Sequence, residues 1–252
     1  MLGLTATAIG NSELLVEALF NAGFISANAF STDYRSTSET SKITIGGYDT
    51  SIVSDFNDFQ FVSIVGSFHW EVPCSMIAYN GTDQGLNASI GILDTGTSLT
   101  YFETPNGDWD KIYGNITSGK TWGYSTGSSL RACHCNSIDD FSNITFTFGG
   151  FNITMNVSSF VYLEAAGICS FYIDGINYSF TTPSILLGDS FLRNYYIYHD
   201  AANRRAGFHV SGSATTLSST ASTSTLVDSE GYLSIKLSVS SLIFILAFLS
   251  VL

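Results

Sequence analysis

The stretch Ile92-Leu93-Asp94-Thr95-Gly96-Thr97-Ser98 decides how this chain is read. The apolar run from Ile90 predicts a short strand that delivers Asp94 to a tight turn. Gly96 has no side chain, so backbone N–H groups can approach the Asp94 carboxylate. The hydroxyls of Thr95 and Thr97 can hydrogen-bond nearby. Such a cradle fixes a carboxylate and biases its pKa, which is what acid–base chemistry asks of it. Asp-Thr-Gly alone is a weak signal, because a carboxylate before a glycine turn is common in loops. Its meaning comes from the rest of the chain.

Working outward, Ser184 to Gly188 predicts a second apolar strand. One helical turn follows over Asp189 to Asn194, then strands over Tyr195 to Asp200 and Arg205 to Val210. Between the two apolar strands lies a short helix, Trp109 to Ile116, with Asp108 as its cap. The alternating run Ile144-Thr145-Phe146-Thr147-Phe148 turns at Gly149-Gly150 into Phe151 to Val157, a hairpin. Upstream, Asn11 to Phe20 reads as a helix capped by Asn11 or Ser12 and stopped by Gly23. Strands are predicted over Ala29 to Tyr34, Lys42 to Ile45 and within Phe59 to Val72. Met76 to Tyr79 followed by Asn80-Gly81 is a hairpin signal.

Hydrophobic residues make up 45% and charged residues 12% of the 252, enough apolar side chain for a packed core. With many short Ile, Val, Thr, Phe and Tyr runs, the fold class is mostly β. The net charge of −12 repels phosphate backbones and excludes nucleic acid as a partner. Asn-x-Ser/Thr acceptors at Asn80, Asn87, Asn115, Asn143, Asn152, Asn156 and Asn177 favour the secretory pathway, with glycans on loops. Cys74, Cys133, Cys135 and Cys169 form an even set that this compartment would oxidise. The Cys133-His134-Cys135 spacing fits no usual zinc framework, so no metal is expected. No cofactor motif is present either.

Composition changes after Val210. Ser211 to Thr225 is almost all Ser, Thr, Ala and Gly and reads as a flexible stalk. The apolar end, Leu242 to Leu252, is separated from it by a polar stretch containing Lys236. The uninterrupted run is shorter than the roughly 20 residues of a spanning helix. Small residues, a spacer and an apolar tail match a GPI-attachment signal, with a short membrane anchor as the alternative.

The Asp94 motif resembles the second active-site loop of the pepsin-like (eukaryotic, family A1) aspartic proteases. Ile185-Leu186-Leu187-Gly188-Asp189-Ser190-Phe191-Leu192-Arg193 resembles that family's apolar-apolar-Gly element and its continuation. Asp200 to Phe208 resembles its closing strand pair. The likeness runs in order from residue 1 to about residue 210 and implies the C-terminal lobe of a bilobal acid protease. Residues 1–34 then end the first lobe and connect the two, 35–210 form the catalytic lobe, 211–231 are linker, and 232–252 are the anchor signal.

Carried over by position, Asp94 is one catalytic aspartate. Thr95 reaches across to the partner lobe, Gly96 permits the turn, and Thr97 hydrogen-bonds the outer oxygen of Asp94. Leu187 and Gly188 cross behind the loop and support it. Asp189, just past them, is set apart from the chemistry. The resemblance pairs Cys135 with Cys169, which leaves Cys74 and Cys133 as a second pair. His69 and Trp70 are candidates for the cleft wall, with core packing open for Trp70.

The family hydrolyses peptides with a water held between two carboxylates that share one proton. This sequence has one Asp-Thr-Gly. The implied function is therefore an aspartic endopeptidase half, inactive alone, whose partners are a protein or peptide substrate and a first lobe carrying the other aspartate. The alternatives are a non-catalytic surface protein that binds through one lobe, and a homodimer that brings two copies of Asp94 together.

Overall fold

The computed structural model describes residues 4–6, 13–34, 40–125, 130–164, 167–209 and 233–238. The cap candidates Asn11 and Ser12, the 211–231 linker and the apolar end from Leu242 lie outside them. In chain order the elements begin with helix α1 (Leu15–Asn21) and strands β1 (Ala29–Asp33), β2 (Thr40–Ile45), β3 (Gln60–Ser63), β4 (Glu71–Tyr79), β5 (Thr82–Asp83), β6 (Ile90–Leu93) and β7 (Thr100–Glu103). Next come helix α2 (Asp108–Ile116), strands β8 (Trp122–Tyr124), β9 (Arg131–His134), β10 (Ile144–Phe148) and β11 (Phe151–Met155), and helix α3 (Val157–Phe160). Strands β12 (Val161–Glu164), β13 (Ile168–Phe171), β14 (Ile173–Ile176) and β15 (Ser184–Leu187) lead to helix α4 (Asp189–Leu192). The chain closes with β16 (Tyr196–Asp200), β17 (Arg205–His209) and β18 (Leu233–Ser238).

These elements fall into two units, Val62–Asn194 and a second made of Met1–Phe61 with Tyr195–Leu252. The second is built on the sheet β18-β2-β1-β16-β17-β3. Its aromatic cluster joins Phe59, Tyr196 and Tyr198 with Tyr48 and Phe56. The Tyr196 hydroxyl meets Ser31 Oγ at 2.6 Å and accepts from the Asp49 amide at 2.7 Å, so its polar tip is satisfied in the core. His199 is buried and stacks on Phe30, its cross-strand partner, with ring centroids 4.3 Å apart.

In Val62–Asn194, an eight-stranded sheet runs β11-β10-β4-β6-β15-β7-β14, with β5 paired to β4. Period-two alternation in β10 buries Ile144, Phe146 and Phe148 on one face. Phe146 and Phe148 pack on Phe191 of α4 at 5.4 and 6.0 Å. Both hairpins read from the sequence turn through left-handed residues, Asn80-Gly81 (φ 50° and 73°) and Gly149-Gly150 (φ 55° and 92°).

A second sheet, β12-β13-β9-β8, was not apparent from the sequence. Arg131 of β9 anchors one end. Its guanidinium lies over Trp109, Tyr113, Trp122 and Tyr124, and its Nε pairs with Asp174 at 2.9 Å.

Several expectations are corrected. Asp108 does not cap α2: Gly107 holds the cap position, and the Asp108 carboxylate instead accepts from the Asn87 and Ala88 amides at 2.7 and 2.8 Å. The Phe59 to Val72 region holds strands as expected, β3 and the start of β4. Cys74 and Cys133 are both buried free thiols. The strand register gives each of them other neighbours: Cys74 on β4 stands opposite Phe148, and Cys133 on β9 stands opposite Cys169 and Trp122.

Candidate active site

Strand β15 lies between β6 and β7, the two strands joined by the Asp94 loop. It runs parallel to β6, with Leu187 opposite Leu93. The loop must therefore cross the end of β15, where Gly188 stands. The Asp94 amide donates to Leu187 O at 3.0 Å. The Asp189 and Ser190 amides donate to Thr97 O and Ser98 O at 2.8 and 3.2 Å. Backbone bonds on both sides of Gly188 thus pin the loop, and the approach leaves no room for a side chain. A Cβ at Gly188 would lie 2.2 Å from Leu99 O and 2.4 Å from Thr97 O.

The carboxylate is held at both oxygens. Oδ1 of Asp94 accepts from the Gly96 amide at 2.9 Å, and Oδ2 accepts from Thr97 Oγ1 at 2.6 Å. A Cβ on Gly96 would stand 3.2 Å from Oδ1, so glycine keeps that oxygen accessible. Thr95 is exposed and Asp94 half-buried, while Leu187 and Gly188 are buried beneath. Trp70 belongs to the core, with its carbonyl accepting from the Leu93 amide at 3.0 Å, and His69 is exposed.

The structure adds a residue that sequence reasoning had set apart. The Asp189 carboxyl pKa is pushed up to about 6 by burial; Arg193 pulls it down and the Asp94 charge pushes it up further. Its Oδ1 is buried without a hydrogen-bond partner among the described residues. The sequence signal was its position: one residue past a glycine that touches the loop. Among the described residues, no group of three or more His, Cys, Asp or Glu is placed to hold a metal.

Away from the loop, Cys135 and Cys169 are disulfide-bonded with Cα atoms 5.8 Å apart. All seven sequon asparagines are exposed. Among the described residues, no helix is long and apolar enough to cross a membrane.

A strand-borne Asp in a Gly/Thr cradle, with an apolar-Gly element threaded behind it, defines a pepsin-like lobe. The family model for the eukaryotic aspartyl proteases matches residues 1–210, and the chain belongs to that family. It is 29% identical over 214 residues to pepsin A of Bos taurus, covering 82% of this chain and 54% of that protein. It is 28% identical over 171 residues to cathepsin E of Aquarana catesbeiana, covering 66% and 40%. It is 29% identical over 170 residues to a probable vacuolar protease A of Arthroderma benhamiae, covering 67% and 40%. The chain spans about half the length, or less, of these relatives.

Proposed function

We propose that this chain is the C-terminal lobe of an aspartic endopeptidase and supplies Asp94 as one of two catalytic carboxylates. The observation that carries the reading is the two-sided hold on Asp94 by Gly96 N–H and Thr97 Oγ–H. Both bonds fix the direction of the carboxylate, which suits a base toward water. The second carboxylate comes from a first lobe. Two carboxylates close together share one proton, because like charges push their titrations apart. One then accepts a proton from the water while the other donates to the peptide carbonyl. Exposed Thr95 is available to the partner lobe's backbone. The substrate is a protein or peptide, and the lobe alone is inactive.

The sequons, the disulfide and the names of the relatives support a secretory-pathway protein, at the cell surface or in a lysosome-like compartment. The tail after residue 231 serves as a GPI signal or membrane anchor in this reading.

Expression of the chain alone and joined to a first lobe with its own Asp-Thr-Gly tests the proposal. The lone chain should not cleave a denatured protein at acid pH, and the two-lobe protein should. In the two-lobe protein Asp94→Asn should lower turnover at least ~10²-fold with the fold retained, since an amide keeps the shape but cannot exchange the proton. Full activity of that variant rejects the assignment.

A further inference from the structure

Cys133 of β9 stands directly opposite Cys169 of β13. Cys169 is nevertheless bonded to Cys135, two residues further along. Opposed residues of an antiparallel pair project to the same face, with Cα atoms about 4.5–5.5 Å apart. Cys135 directly follows β9, and its amide donates to Gly167 O at 3.0 Å, so the chain stays beside the start of β13 there. Disulfides span Cα separations of about 4.4–6.8 Å. The register therefore places Cys133 within bonding range of the same sulfur that Cys135 holds.

We propose that Cys133 is an internal exchange partner for the Cys135–Cys169 disulfide, so that this lobe has two interconvertible disulfide isomers. The Cys133 thiol first loses its proton to solvent. Its thiolate attacks Sγ of Cys169, and the Cys133–Cys169 bond forms as the Cys135–Cys169 bond breaks. The electron pair leaves on Sγ of Cys135, which then takes up a proton. One disulfide and one thiol stand on each side, so no external oxidant or reductant enters. The two isomers close loops that differ by only two residues, and their loop-closure entropies are nearly equal. Local packing decides between them.

Burial sets the rate. It pushes the Cys133 thiol up, Lys120 pulls it down and Asp140 pushes it up again. The phenols of Tyr79 and Tyr113, also raised by burial, sense the Cys133 charge too. Acid removes the attacking thiolate and locks the bond, whereas alkaline conditions open the exchange. Cys74 supplies a contrast. It is equally buried but faces Phe148 across β10, and its thiol donates to Met76 O at 3.6 Å.

The full chain is incubated at acid and at mildly alkaline pH, the latter also in mild denaturant, then acid-quenched, alkylated and mapped without reduction. A Cys135→Ser variant is mapped alongside. After alkaline incubation, the Cys133–Cys169 linked peptide and alkylated Cys135 should rise about tenfold over the acid sample. Cys135→Ser leaves Cys133 and Cys169 as thiols, and oxidised glutathione, which is reduced as the bond forms, should join them as the Cys133–Cys169 link, with Cys74 still a thiol. The linked peptide in either protein supports the proposal. Its absence from both, with Cys133 recovered only as an alkylated thiol, overturns it; the wild-type arm does not depend on whether the variant folds.

Discussion

Gly188 is the residue on which the Asp94 loop rests. Its missing Cβ is required by two backbone carbonyls, those of Thr97 and Leu99, which a side-chain rotation elsewhere cannot move aside. Gly188→Ala must displace either the Asp94 loop or β15. We expect a loss of about 2 kcal/mol or more in stability, read as a lower denaturant midpoint. In the two-lobe protein, activity should fall further than the stability loss accounts for, because the displaced groups orient Asp94. A variant with wild-type midpoint and turnover would show that the crossing is looser than this. The loop was legible in the sequence because each of its residues has a distinctive chemistry: acid, hydroxyl, or no side chain. Asp189 was not, since its raised pKa depends on burial and on the Asp94 charge, and both arise only when β15 is threaded between β6 and β7.

At the scale of elements, the hairpins β4–β5 and β10–β11 were legible because glycine turns and alternation are local signals. The sheet β12-β13-β9-β8 was not. Its strands are three or four residues long, and Trp122, Tyr124, Tyr162 and Leu163 keep large apolar side chains exposed. Alternation cannot mark a buried face when its exposed partner is also apolar. The role of Asp108 was misread for a related reason: a carboxylate at the start of a helix looks like a cap, whatever it binds. Here it ties α2 to the segment before β6, and this bears on glycosylation. Asn87 Nδ2 donates both hydrogens, to Asn106 O and to Asp108 Oδ1, each at 3.0 Å. A glycan replaces one of those hydrogens and leaves an acceptor short. Asn152 differs: its Oδ1 accepts from Thr147 Oγ1, an interaction that a glycan on Nδ2 leaves in place. Secreted folded protein should therefore carry sugar at Asn152 and little or none at Asn87. Enzymatic deglycosylation in heavy-oxygen water followed by peptide mapping reads this directly. Full occupancy at Asn87 in folded material would refute it.

At the scale of the whole molecule, buried His199 and half-buried Asp189 give the two units opposite responses to acid. His199 has its pKa lowered to about 3 by burial, against 6.5 unperturbed. Between those values the unfolded chain binds the proton and the folded one does not, so stability from this group is lost as pH falls from about 6.5 toward 3. Asp189 is displaced the other way, from 3.8 to about 6. The folded form holds its proton over that window, so stability falls as pH rises from about 4 to 6. A tenfold change in proton affinity is worth about 1.4 kcal/mol, so the upper bounds are roughly 5 kcal/mol for His199 and roughly 3 kcal/mol for Asp189. The sheet bearing His199 should therefore loosen on acidification while the turn after Gly188 tightens. Hydrogen exchange at pH near 4 and near 7, corrected for intrinsic rates, separates the two. Protection of β1 and β16 should drop in acid, and protection around Asp189–Leu192 should rise. His199→Phe should remove the first change and spare the second. Asp189→Asn should remove the second and raise stability near neutral pH. In the two-lobe protein it should not abolish turnover, since Asp189 lies past Gly188 in α4 and not on the Asp94 loop. If β1 and β16 keep the same protection at both pH values in the wild-type protein, His199 is not the neutral imidazole that its burial calls for.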